Sequence, residues 1–124
     1  MITGIGTDIC EVKRIQALLE KRGEAFINKL LSPAEREAAP QPINANWLAK
    51  RFAGKEAVVK AMGTGFVDGL FFCDIEIFND EHGKPYVELS QKAVSMLPEG
   101  VHVFLSLSDE KAYASAFAVI EQRN

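Results

Sequence analysis

The chain has 124 residues, a size that fits one domain able to bury a core without disulfide or metal staples. With 48% apolar and 25% charged residues it is not a disordered chain, and no apolar run reaches the roughly 18–20 residues that would span a bilayer. The net charge of −3 divides into +3 over residues 1–62 and −6 over residues 63–124, which excludes a nucleic-acid coat but leaves a basic half for an anionic ligand or an acidic partner.

Residues 2–9 read as a strand. Thr3, Ile5, Thr7 and Ile9 share one face, and Ile2, Gly4, Gly6 and Asp8 the other. Val12, Ile15, Leu18 and Leu19 recur at helical spacing and predict a helix over 11–22, and a second short helix is expected over 24–31. Ser32, with Pro33 next and Glu35 three residues on, has the form of a capping box opening a third. Pro40-Gln41-Pro42 breaks the chain into a loop. The strongest helix runs over 44–62, capped by Asn44 or Asn46 and ended by Gly63. Alternation predicts a strand over 71–78, a turn at 79–83, and a return strand over 86–89. Ser90 caps a short helix ending near Leu97, and two strands close the chain over 101–108 and 112–120. Ala112, Ala114, Ala116 and Ala118 lie on one face of the last strand, small enough for a helix or another subunit's sheet to approach closely. This order gives an α+β fold with a mainly antiparallel sheet, one domain over 1–124.

Cys10 and Cys73 form no metal or disulfide pattern, and the opening residues have no basic stretch before an apolar core. Both features predict reduced thiols in a cytoplasmic protein without a secretory leader. Asp8 stands beside the bare Gly4 and Gly6, either as a metal ligand or as a cap for the following helix. On a helical wheel Leu48, Phe52, Val59 and Met62 form the core arc, with Lys55 inside it and Glu56 at its edge. Lys55 either snorkels or has a buried partner, and Glu56 either pairs with Lys60 or serves chemistry. Lys50, Arg51, Lys55 and Lys60 make this helix basic. Gly63-Thr64-Gly65 and Gly83-Lys84-Pro85 are turns, and neither is a phosphate loop of the GxxxxGK[ST] kind. A helix C-terminus has the wrong dipole for an anion, so side-chain cations must hold any phosphate there. His82 and His102 fit no hydrolase triad. Arg14 and Lys21, two turns apart with Leu18 between them, would suit an acidic amphipathic helix.

Two segments, Gly4-Ile5-Gly6-Thr7-Asp8-Ile9-Cys10-Glu11-Val12-Lys13-Arg14-Ile15 and Arg51-Phe52-Ala53-Gly54-Lys55-Glu56-Ala57-Val58-Val59-Lys60-Ala61-Met62-Gly63-Thr64-Gly65, resemble the two signatures of the holo-acyl-carrier-protein synthases, small bacterial 4′-phosphopantetheinyl transferases. Weaker matches continue through Phe78-Asn79-Asp80, Gly83-Lys84-Pro85 and Ala112-Tyr113-Ala114. The resemblance implies Mg²⁺-dependent transfer of the phosphopantetheine arm of coenzyme A to a serine of apo-acyl carrier protein, for fatty acid biosynthesis, in a homotrimer with sites between subunits. It implies Asp8 and Glu56 as metal carboxylates and Lys60 at the pyrophosphate. Arg51 would serve the adenosine phosphate end, with Gly63, Thr64, Gly65, Lys84 and Pro85 as further coenzyme A contacts. Arg14, Leu18 and Lys21 are the expected carrier-binding residues. The serine's proton goes to Glu56 or to a water on the metal. Many relatives carry histidine where this chain has Asp109, so no role carries over to that position. The rival readings are another coenzyme A enzyme and an inactive binding relative.

Overall fold

A computed structural model describes residues 1–67 and 69–123. The elements run β1 (Ile2–Glu11), α1 (Val12–Arg22), α2 (Glu24–Leu30), α3 (Pro33–Ala38), α4 (Ala45–Met62), a 3-10 turn (Phe72–Asp74), β2 (Ile75–Asn79), β3 (Pro85–Leu89), α5 (Gln91–Ser95), β4 (Val101–Asp109) and β5 (Tyr113–Gln122). An antiparallel sheet of order β1-β5-β4 and an antiparallel β2-β3 pair pack around α4.

Local chemistry accounts for most boundaries. Ser32 Oγ accepts from the Glu35 amide while the Glu35 carboxylate accepts from the Ser32 amide, closing the capping box of α3. Asn44, not Asn46, caps α4 by accepting from the Trp47 amide at 2.9 Å. Gly63 ends α4 at φ 79°, a left-handed conformation glycine adopts without steric cost. Asp8 caps nothing; Glu11 precedes α1 and makes no side-chain cap.

Three expectations change. The alternation over 71–78 does not extend to its start: residues 72–74 are a 3-10 turn, closed where the Asp74 carboxylate accepts from the Phe71 amide at 2.8 Å, and strand begins at Ile75. That local side-chain bond competes with a sheet ladder and wins over three residues. Second, α4 has no single core arc; Leu48, Ala49, Ala53, Ala57 and Val58 are buried around its whole circumference because sheet and helices surround it. Third, Ala114, Ala116 and Ala118 face α4 inside the chain, while Ala112 precedes β5 and is exposed. The small face serves a helix rather than another subunit.

That close approach is set by β1. A Cβ built on Gly4 would lie 1.9 Å from the Ala61 carbonyl oxygen, and one on Gly6 would lie 2.0 Å from that of Ala57. Backbone therefore touches backbone where β1 crosses α4. The opposite face of the sheet is the apolar one. Ile5, Ile9, Phe104, Tyr113 and Phe117 are 44–67% exposed there. Ile5 lies opposite Val119, which lies opposite Phe104, so the patch crosses all three strands.

Candidate active site

The β1–α4 crossing carries Asp8 next to the last two turns of α4. Lys60 Nζ donates to the Asp8 carboxylate at 3.1 Å and to the Thr7 carbonyl at 3.0 Å. Its partner is thus Asp8, not Glu56 one turn back as helical spacing allowed. Glu56 is half-buried, and burial first, then the Asp8 charge, push its carboxyl above the usual carboxylate range, against Lys60 and Arg14. The Asp8 charge acting on Glu56, with two cations beside the pair, makes one electrostatic cluster. Arg14 of α1 lies over the Phe52 ring at 5.3 Å and completes it.

Mg²⁺ fits this donor set in part. The ion takes oxygen ligands, uses one or two carboxylates, and fills its remaining positions with water and substrate phosphate. Among the described residues no group of three His, Cys, Asp or Glu side chains could hold a metal alone. Asp8 and Glu56 therefore suit a site that a phosphate ligand completes.

A second centre lies near the start of α4. Arg51 is buried over the Trp47 ring at 4.6 Å, and one of its Nη atoms donates to Asn79 Oδ1. Among the described residues, its Nε and other Nη are buried with no partner. Burial pulls the guanidinium below its usual pKa, with Glu35 opposing. Trp47, Lys50, Arg51, Asn79, Gly83, Pro85 and Leu107 line a cavity of about 260 Å³ here. Lys50 is held at its edge by Asp109, 3.3 Å away. Two idle N–H donors on a buried cation make a receptor for an anion. Asn79 and Trp47 were not singled out as site residues in the sequence; Trp47, one turn before Arg51, was the available signal.

The predicted residues thus separate into two groups. Asp8, Glu56 and Lys60 stand near Gly63, Thr64 and Gly65 at the end of α4, where the Thr64 hydroxyl is buried without a partner. Arg51 stands with Pro85, next to the exposed Lys84, whose amide donates to Asp80. Nine residues along an α-helix is about 14 Å and about two and a half turns, so Arg51 and Lys60 leave α4 on opposite sides. On α1, Arg14 and Lys21 are exposed and Leu18 half-buried, with Val12 and Ile15 turned inward.

A family model for the 4′-phosphopantetheinyl transferase superfamily matches residues 4–118. The chain belongs to that superfamily. Phosphopantetheinyl transfer is accordingly its class of activity, and both signature segments fall inside the match. A holo-[acyl-carrier-protein] synthase of Wolbachia pipientis subsp. Culex pipiens is 44% identical over 124 residues, taking in 97% of this chain and 98% of the relative. The crystal structure of the Neisseria meningitidis holo-[acyl-carrier-protein] synthase superposes with a TM-score of 0.88 at 45% identity, covering 98% of this chain and 100% of that one. The Bacillus anthracis synthase, solved in complex with CoA (3′,5′-ADP), gives 0.83 at 38% identity and 99% coverage of both chains. The α+β expectation stands with these neighbours.

Proposed function

We propose that this chain, acting as one catalytic unit over residues 1–124, transfers the phosphopantetheine arm of coenzyme A to a serine of apo-acyl carrier protein, with Mg²⁺ bound at Asp8 and Glu56. The serine oxygen bonds to the β-phosphorus of coenzyme A, the bond to the bridging oxygen breaks, and adenosine 3′,5′-bisphosphate leaves with the electron pair. Mg²⁺ supplies charge neutralisation on the phosphate oxygens when bound. Lys60, its side chain about half exposed beside Asp8, offers its ammonium to the pyrophosphate. Glu56, beside Asp8, is the carboxylate that the chain itself offers as proton acceptor for the serine. The nucleophile belongs to the carrier, which agrees with the absence of an activated serine or cysteine from this cluster.

The observation that carries the reading is the pairing of the Asp8–Glu56–Lys60 cluster with a buried, half-satisfied Arg51 on the other side of the same helix. A single coenzyme A touching both groups must bridge two copies of the chain. The exposed apolar sheet face supports such an assembly, and a homotrimer with sites between subunits is the form proposed. Arg14, Leu18 and Lys21 then present a basic, apolar-centred surface to the acidic carrier. A cytoplasmic setting agrees with two free thiols, and no described helix is long and apolar enough to cross a membrane.

The test is intact mass of an apo-carrier incubated with coenzyme A. One arm, roughly 340 Da from its chemical composition, should be added with Mg²⁺ and not after chelation. Asp8→Ala and Glu56→Ala should each abolish the gain while keeping the fold. An unmodified carrier under conditions where a known synthase works refutes the reading.

A further inference from the structure

The signature lysine, Lys55, is fully buried, and its hydrogen-bond partners belong to neither half of the site. Its three ammonium protons are all committed: to the Glu35 carboxylate at 2.7 Å, the Leu30 carbonyl at 2.6 Å and the Phe72 carbonyl at 3.0 Å. Glu35 is equally occupied, accepting also from the Ser32 amide and, at 3.0 Å, from the Ile77 amide. One buried ion pair therefore ties α4 to the end of α2, the start of α3, the 3-10 turn and β2. Burial pulls Lys55 below the usual lysine range while Glu35 beside it opposes that shift.

On the other side of α4 the polar tie to β1 is the half-exposed Lys60, which donates to Asp8 and to the Thr7 carbonyl at the surface rather than forming a buried key. There, bare Gly4 and Gly6 meet the Ala57 and Ala61 backbone, a contact that fixes spacing without interlocking side chains. Apolar packing resists rotation only weakly, because it is not directional. A functional group about 6 Å from the helix axis moves about 1 Å for every 10° of helix rotation. Both Arg51 and Glu56 ride on α4, so its rotation sets both halves of the site together.

We infer that Lys55, with Glu35, is a positioning residue for the transfer reaction: the buried pair fixes the rotation of α4 and so aims Glu56 at Asp8 and Arg51 at its anion. This rests on the proposed function and adds to it a role for a residue that touches neither substrate. A double variant, Lys55→Met with Glu35→Gln, removes the pair without stranding a buried charge. It should fold with a lowered thermal midpoint, because the Leu30 and Phe72 carbonyls lose their donor, and well below that midpoint lose about tenfold or more in kcat and bind Mn²⁺, read by electron paramagnetic resonance, about tenfold more weakly. KM for coenzyme A should change less than kcat.

Should the double variant fail to fold, Glu35→Asp retains the charge and draws the ammonium aside by one methylene. It should keep the thermal midpoint and still lower both kcat and Mn²⁺ affinity. Folded variants with the parent's kcat and Mn²⁺ affinity would overturn the inference and leave the pair a purely structural one. The parent in the same assay separates the two readings: no transfer by the parent refutes the proposed function, whereas transfer by parent and variants alike refutes only the positioning role.

Discussion

Arg51 and Lys60 point away from opposite sides of one helix, and this makes subunit sharing measurable. Glu56→Ala disables one half of each site and Arg51→Ala the other. If a coenzyme A takes Glu56 from one copy and Arg51 from its neighbour, two dead variants can restore each other. Co-expressed in equal amounts and randomly assembled, an intact site needs an Arg51→Ala copy supplying Glu56 next to a Glu56→Ala copy supplying Arg51. Each condition holds with even odds, so about one quarter of sites in a closed ring recover. The assay is the initial rate of arm transfer by the co-expressed mixture, compared per site with parent enzyme; selecting heteromers by two tags removes the dead homotrimers and raises the expected fraction to about one third in a trimer. Homomers of Arg51→Ala should lose affinity for coenzyme A, and those of Glu56→Ala should lose turnover. Heteromers with no more activity than the two variants measured separately would show that both halves serve a substrate within one copy, and the bridging geometry would be refuted.

Gly6→Ala places a Cβ 2.0 Å from the Ala57 carbonyl oxygen, so β1 and α4 must part by more than an ångström. A cost of about 3 kcal/mol or more is expected in urea unfolding, with activity lost beyond the stability loss; parental values for both would refute the close contact. Glu56 has a raised folded-state pKa, so the folded state holds its proton more tightly, and the stability this gives at low pH is lost as pH rises through that pKa. Metal-free Glu56→Gln should therefore melt above the parent at neutral pH, the gap closing below the ordinary carboxylate range; a lower midpoint at neutral pH contradicts the assignment. Phe117→Glu on the exposed sheet face should shift light scattering toward the 13.7 kDa monomer, and an unchanged mass at micromolar concentration would place the interface elsewhere. Arg14→Glu with Lys21→Glu should raise KM for the carrier, more at low salt, and spare that for coenzyme A; unaltered carrier kinetics would move the docking surface off α1.

Local chemistry made most elements legible. Caps wrote the boundaries of α3, α4 and α5, because Ser32, Asn44 and Ser90 act on amides three residues away. Long-range geometry was less visible. Alternation divided β1 into two faces without saying which is inward, and the sheet buries its glycines and alanines while Ile5 and Ile9 stay exposed, because close packing on α4 rewards small size over hydrophobicity. Lys55 read as an anomaly in an apolar arc, and its partner Glu35 lies twenty residues away, where spacing on one helix carries no information. Asp8 and Glu56 were legible as chemistry through the signatures, but their association with Lys60 needed β1 to cross α4. That Arg51 and Lys60 diverge follows from helix geometry alone, although its meaning depends on where Asn79 and Asp8 stand.

The glycine crossing of β1 over α4 has a thermodynamic consequence. Since Gly4 and Gly6 present no side chains and meet backbone atoms of Ala57 and Ala61, these contacts have no rotamers to freeze on folding or to thaw on warming. The gap between strand and helix is a sum of atomic radii. Asp8 stands two residues beyond that junction, while Glu56 and Lys60 flank Ala57 on the helix. The separation of strand from helix should therefore hold across temperature, much as a rigid spacer holds two jaws apart, while the rotation of α4 is left to the Lys55–Glu35 pair. The same rigidity leaves no graded adjustment at positions 4 and 6, where the smallest added carbon must displace a whole element.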